Sequence, residues 1–349
     1  MRDLREIAKE LARYDGEPLT FMEVCGTHTA SISKNGIADM LSPKIRLVSG
    51  PGCPVCVTVS SYIDRLVALS MRENTCVVTF GDMLRVRGSE KSLREASAEG
   101  ANVRMVYSPV EVIKLAEDDP RTEYVFAAVG FETTAPVYAI LVEEMIARSI
   151  SNIKLLTALK TMPAVIDRIC SEPNAISGFI APGHVSVITG SGAFEPLSDK
   201  YGLPFVVAGF EGEELLAAVY ALVRLKGRAG VYNFYPRAVS REGNLKAQEK
   251  VARYFEPCDA AWRGMGVIPM SGIRLRPEYA AFDAGSGGLL SDAAIGNGCS
   301  CHEVIAGRIS PVECPLYGSV CTPDDPQGAC MVSSEGSCFN YFENKRGRA

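Results

Sequence analysis

The sequence predicts an α/β protein of two doubly wound parallel-sheet domains in series, followed by a small, irregular, cysteine-rich C-terminal domain. Short apolar runs of strand length alternate with amphipathic helical stretches as far as about Tyr235. The alternation breaks near residues 148–152 and then begins again. Beyond Tyr235 it fades into a stretch rich in Gly, Pro and Cys.

The charged opening Met1 to Glu6 reads as the start of an amphipathic helix. Leu19–Val24, Ile45–Ser49, Thr75–Phe80, Val103–Tyr107 and Tyr124–Phe131 read as the buried strands of a first domain, residues 1–150. Ile153–Leu159, Gly178–Ala181 and Phe205–Phe210 open a second, residues 151–240. The tail, residues 241–349, has too few apolar runs to build much core of its own. A bound metal group is expected to stabilise it, because ligation free energy is folding free energy in a small metal domain. A faint internal echo links Ala128-Val129-Gly130-Phe131-Glu132 with Val207-Ala208-Gly209-Phe210-Glu211, each ending a strand and opening a helix. Duplication and coincidence explain so short a match equally well.

At 349 residues, 47% hydrophobic and 22% charged, the composition is that of a soluble globular chain with more than one core. A net charge of -5 without any Lys/Arg cluster argues against nucleic acid and anionic membrane surfaces as partners. The N-terminus lacks the apolar core of a signal peptide, and runs such as Leu215 to Val223 are too short to span a membrane. A cytoplasmic protein, monomeric on its own, is expected.

In a reducing compartment the 12 cysteines point to metal binding or redox chemistry rather than structural disulfides. Cys314-x6-Cys321-x8-Cys330-x7-Cys338 has intervals too long for a zinc knuckle and no CxxC pair. Four thiolates on loops turned by Pro315, Pro323, Pro326, Gly318, Gly328 and Gly336 suit a 4Fe-4S cluster, favoured over structural zinc on softness and spacing. Cys299-x-Cys301 either replaces one of the four or plays a redox role beside them.

Gly50-Pro51-Gly52-Cys53-Pro54-Val55-Cys56 places a CxxC after a strand and before a helix expected near Val57. A helix N-terminus stabilises thiolate, so the pair should cycle between dithiol and disulfide. Half of a zinc site is the alternative, but no second CxxC completes it. In Glu23-Val24-Cys25-Gly26-Thr27-His28-Thr29 a strand ends on a cysteine with a histidine three residues on. Thiolate and imidazole form a partial ligand set for Fe(II), although a buried Cys near a His is more often packing. Cys25, Cys53 and Cys56 all follow predicted parallel strands, whose C-terminal ends gather on one sheet edge. His184, in Pro182-Gly183-His184, is expected to face the same cleft from the second domain, or else to brace a loop. No Walker loop, Ser-His-Asp set or dinucleotide fingerprint is present, and Gly285-Ser286-Gly287-Gly288 lacks the required context.

Cys25-Gly26-Thr27-His28, Gly50 through Cys56, Gly130-Phe131-Glu132-Thr133-Thr134, Pro182-Gly183-His184, and Cys321-Thr322-Pro323 through Ser333-Ser334-Glu335-Gly336-Ser337-Cys338 together resemble the HypD family of hydrogenase maturation factors. The resemblance runs over nearly the whole chain. It implies a scaffold that docks a small HypC-type chaperone and receives cyanide from a HypE-type donor. It implies transient Fe(II) carrying cyanide and carbon monoxide at Cys25, with His28 close by and Glu335 as a further participant. Cys53 and Cys56 would exchange electrons with a 4Fe-4S cluster held by Cys314, Cys321, Cys330 and Cys338. Two other readings compete: an iron-sulfur-dependent thiol-disulfide reductase, and a metal-stabilised interaction module without redox work.

Overall fold

The computed structural model describes residues 3–292 and 298–346. Met1 and Arg2 of the expected N-terminal helix lie outside the described residues; the helix itself runs Leu4–Ala12, capped by the Asp3 side chain. Eleven strands are described: β1 (Leu19–Glu23), β2 (Ile45–Ser49), β3 (Thr75–Thr79), β4 (Val103–Met105), β5 (Glu123–Gly130), β6 (Ile153–Lys160), β7 (Ile176–Ala181), β8 (Pro204–Val207), β9 (Gly230–Asn233), β10 (Phe255–Trp262) and β11 (Gly266–Leu275). They form two sheets, ordered β2-β1-β7-β8-β9 and β10-β11-β6-β5-β3-β4. The first is parallel throughout; in the second, only β10 and β11 run antiparallel to their neighbours. The class is as expected: α/β, two parallel-dominated sheets and a cysteine-rich C-terminal region.

The strands are not shared out along the chain at residue 150. β1 and β2 join β7, β8 and β9, while β5 and β6 pair across the expected boundary in register from Tyr124↔Ile153 to Gly130↔Leu159. The two sheets are therefore interleaved along the sequence. Periodicity marks a run as a strand but not its partner, and a crossover helix lets a chain leave one sheet for the other.

The stretch after Tyr235 is also more regular than expected, with a helix at Leu245–Tyr254 and the β10–β11 hairpin. Pro257 and Pro269 obscure the hairpin in the sequence, because proline normally argues against a strand. β10 tolerates Pro257 because it is an edge strand with one unpaired side. β9, four residues at the edge of its sheet, is too short to carry a periodic signal.

Phe126, Tyr138 and Leu155 fill the core of the second sheet, and Phe21, Ile180 and Val206 that of the first. A third apolar cluster joins them. It contains Met22 and Val24 under the end of β1, Phe131 stacked on Trp262 at 5.9 Å, and Cys53, Cys56, Cys301, Cys321, Cys330 and Cys338. The chemistry-bearing residues are thus built into the seam between the sheets and the C-terminal region.

Candidate functional site

β2, β1, β7 and β8 are consecutive neighbours in one parallel sheet, so the loops after all four emerge on one edge. Cys25 follows β1, Cys53 and Cys56 follow β2, His184 follows β7 and Phe210 follows β8. His184 therefore lies on the same sheet edge as Cys25, and does not face it from a second domain.

Cys25 is the N-cap residue of the Gly26–Lys34 helix. Burial pushes its thiol up to about 12, against the backbone N–H groups of His28 and Thr27, which favour the thiolate; the Glu23 and Glu335 carboxylates add to the rise. Glu23 is itself buried and clamps the turn, accepting from Cys25 N at 2.9 Å and from Thr29 Oγ at 2.5 Å. Burial raises Glu23 to about 7. Glycine is required on both sides. A Cβ at Gly26 would lie 2.3 Å from Glu335 Cβ, and one at Gly52 only 2.3 Å from Cys25 N. Gly26 N also donates to Gly52 O at 3.1 Å, which ties the CGTH and CPVC loops together.

His28 is fully buried, with Nε2 3.3 Å from the Ala208 carbonyl oxygen and Nδ1 without a partner. With the Nε2 proton given to Ala208, Nδ1 presents a lone pair. Burial lowers the imidazole to about 4, so it is neutral at ordinary pH. His28 lies against Phe210 at 5.2 Å, and His184 stacks on the same ring at 4.0 Å. The two histidines expected from separate motifs are thus joined through Phe210, an unassigned member of the internal echo.

Cys53 and Cys56 are joined in a disulfide. The following helix begins at Ser60, later than expected, so its dipole does not act directly on the pair. The turn supplies its own donor, Cys56 N, 3.1 Å from Cys53 Sγ. Cys56 Sγ lies 3.7 Å from the Ala329 carbonyl oxygen, one residue before Cys330.

All six C-terminal cysteines, Cys299, Cys301, Cys314, Cys321, Cys330 and Cys338, line a single pocket with Tyr317 and Met331. Hydrogen bonds from Cys299 and Cys330 drive Cys301 towards the thiolate, and push both donors up in turn. Backbone N–H groups point at two more sulfurs: Ser300 N to Cys314 Sγ at 3.5 Å, and Gln327 N to Cys321 Sγ at 3.3 Å. Among the described residues no three His, Cys, Asp or Glu side chains are arranged to hold a single metal ion. Convergence of six soft donors with N–H groups on their sulfurs is the donor set a polynuclear cluster uses.

The whole chain has relatives. The model of the HypD family, described as the hydrogenase formation hypA family, matches residues 2–345. The chain belongs to the HypD family. The hydrogenase maturation factor HypD of Azotobacter vinelandii is 43% identical over 344 residues, covering 94% of this chain and 89% of that protein. HypD of Rhizobium leguminosarum bv. viciae is 42% identical over 341 residues, again 94% and 89%. A putative hydrogenase expression/formation protein of Methanocaldococcus jannaschii is 41% identical over 335 residues, covering 95% and 93%. The HypD-type motifs quoted above all lie within the matched residues.

The structure adds residues that the motifs of this HypD family member did not reveal. Arg85 donates to the carbonyls of Pro323 at 3.2 Å and Val332 at 2.9 Å, and Asp82 accepts from Ser333 Oγ at 2.8 Å. These bonds hold the cysteine-rich region against the loop after β3. No sequence spacing signals them, since each joins residues more than 200 positions apart. No described helix is long and apolar enough to cross a membrane.

Glu132, in the GFETT motif, is brought to the start of the Met162–Ser171 helix, where Oε1 accepts from Met162 N at 2.8 Å. Its Oε2 is buried without a partner, although the residue as a whole is partly exposed. Burial raises the carboxyl from the usual 4.5 to about 7. A group raised in the fold contributes stability that is complete below its unfolded value and lost as pH rises through its folded value. Stability should therefore fall between about pH 4.5 and 7. Glu132→Gln removes that loss, and should flatten the decline by about 1–3 kcal/mol. Urea melts of both proteins at the two ends of this range measure it; parallel pH profiles would refute the assignment.

Proposed function

We propose that this chain is the scaffold on which the iron-cyanide-carbonyl unit of nickel-iron hydrogenases is assembled in the cytoplasm. The observation that supports it most strongly is the meeting of Cys25, His28 and the Cys53–Cys56 pair on one sheet edge, backed by the six-thiol pocket. The cargo iron is taken between Cys25 and a HypC-type chaperone, with the Nδ1 lone pair of His28 as a neighbouring donor. Cyanide arrives from a HypE-type protein. Iron carrying strong-field cyanide and carbonyl ligands needs an electron-rich thiolate in a site closed to solvent. Cys25 supplies both, being 7% exposed. Burial, with the Glu23 and Glu335 carboxylates beside it, keeps Cys25 a thiol, and coordination of a divalent cation releases that proton.

A 4Fe-4S cluster fits the six-thiol pocket, with Cys314, Cys321, Cys330 and Cys338 as ligands and Cys299 and Cys301 beside them. Such a cluster supplies electrons one at a time. The Cys53–Cys56 disulfide takes up two electrons and two protons as its S–S bond breaks, which gives two thiols. Cys56 touches the peptide carbonyl before Cys330, and Gly52 touches Cys25, so the pair bridges pocket and iron site.

The same contact between Cys56 and the six-thiol pocket favours a second reading, a cluster-dependent thiol-disulfide reductase. That reading leaves Cys25 and His28 without a task. Infrared spectroscopy separates the two. The chain should be co-expressed with a HypC-type partner and the other maturation factors, and purified without oxygen. The complex is then expected to show bands in both the cyanide and the carbonyl stretching regions. A blank spectrum from an iron-replete, cluster-intact complex would transfer the assignment to the reductase.

A further inference from the structure

A cavity of about 650 Å3 opens between β6 and the β10–β11 hairpin, away from the Cys25 loops. Its origin is a splayed strand. β11 pairs with β6 only at Gly272↔Lys160 and Ile273↔Leu159. Further back along β6 the partner is the 283–286 segment: Leu155 bridges Asp283, and Thr157 N donates to Ser286 Oγ at 2.8 Å. The glycine-rich loop after Asp283 forms the rim.

Cys258, Gly272 and Lys160 form one row across the sheet, and opposed residues share a face. With glycine in the middle, Lys160 and Cys258 are the side chains of that row, and both line the cavity. Lys160 is only 3% exposed, yet no carboxylate pairs with it among the described residues. Its surroundings are the Trp262 ring, 5.8 Å from Nζ, the Cys258 thiol, and a second buried cation, Arg263. Arg263 donates through Nε to Thr58 O at 2.8 Å, and its Nη2 is buried without a partner. The charged groups on the cavity wall are already engaged. Asp283 accepts from Ser286, Asp259 accepts from Met270 N, and Arg274 pairs with Glu256. Asp259 and Asp283 also line the cavity but are held by Met270 and Ser286, so Lys160 is left a buried cation with no carboxylate paired to it, where charge is costly to bury.

We propose that this cavity binds a small organic anion, whose carboxylate or phosphate pairs with Lys160 Nζ and whose apolar body lies against Val59, Ala158 and Leu289. The volume is that of a small-molecule site, and a largely apolar wall with one buried charge is the usual design of such a site. Burial lowers the Lys160 amine to about 8, so it remains mostly protonated at neutral pH. The site is independent of the iron-assembly reading, since it uses none of the Cys25 residues.

Three probes that share one ring test it: benzoate, phenyl phosphate and benzyl alcohol, followed by saturation-transfer NMR on the full, anaerobically purified chain. At least one anion should bind ten-fold or more tightly than the neutral alcohol, and the tighter anion identifies the head group. Lys160→Met should weaken that binding at least ten-fold without lowering the thermal midpoint. The unsubstituted protein provides an independent test. The bound anion should protect Lys160 from acylation by acetic anhydride, read by peptide mass, while the exposed Lys246 stays reactive. Equal binding of benzyl alcohol, unchanged affinity in folded Lys160→Met, or acylation of Lys160 unaffected by either anion would overturn the proposal.

Discussion

Replacing Cys25 with alanine is expected to reduce the yield of active nickel-iron hydrogenase by at least about 100-fold, more than the roughly 10–100-fold typical of losing an outer-shell partner of a metal. The fold should survive. Cys25 is a small buried side chain at a helix N-cap, and truncating it removes one sulfur from a site that Glu23, Thr29 and Gly52 still hold together. The stability cost should stay near 1 kcal/mol, as for loss of a small buried apolar group. Circular dichroism should therefore match the unsubstituted chain, and the absorbance of the proposed iron-sulfur cluster should be unchanged, because the six thiols line a separate pocket. Hydrogenase activity in extracts of a complemented strain is the deciding readout. Normal maturation by Cys25→Ala would remove the iron from this position and with it the scaffold reading.

Gly52→Ala tests the same site through its architecture and leaves every thiol in place. An added Cβ at this position would lie 2.3 Å from Cys25 N, 2.6 Å from Cys25 Cα and 2.6 Å from the Val24 carbonyl carbon. These are backbone atoms, so no rotamer change relieves the contact. The CPVC loop must move away from the CGTH loop, breaking the Gly26 N to Gly52 O bond. Overpacking of this kind costs about 1–3 kcal/mol. The functional loss should be larger than the stability loss, because the disulfide no longer sits against the Cys25 loop. A urea melt displaced to lower denaturant, with maturation lost at a temperature where the chain is still folded, is the expected pair of results. Full activity with unchanged stability would show that the two loops do not need their close approach.

The legible part of the site was local. Cys25 at a strand end, the CPVC turn after the next strand, and the thiol-rich tail can each be read from residues a few positions apart. Chemistry depends on residue type, and parallel strands place their following loops on a common edge. What could not be read was contact between distant segments. Phe210, which joins His28 to His184, lies 182 positions after His28 and 26 after His184. Arg85 and Asp82, which anchor the cysteine-rich region, reach more than 200 positions along the chain. An exposed-looking Arg or Asp in a loop carries no mark of such a partner. The helix starts at Ser60 rather than near Val57 for a similar reason: the backbone groups of Val57 and Thr58 are taken up by Arg263 and by the CPVC turn, which no local signal marks.

The sequence by itself determined the class of this protein, its strands from β1 to β8, and the identities of the thiols and imidazoles available for chemistry. All of these follow from hydrophobic period and side-chain type, which are properties of short windows. Tertiary structure alone decided that β1 and β2 join β7 rather than β3, and that the tail's hairpin completes the other sheet. It also decided that Lys160 is buried beside a cavity with no carboxylate paired to it among the described residues. Strand pairing and burial depend on which surfaces can be covered at the same time, and that is settled by the packing of the whole chain.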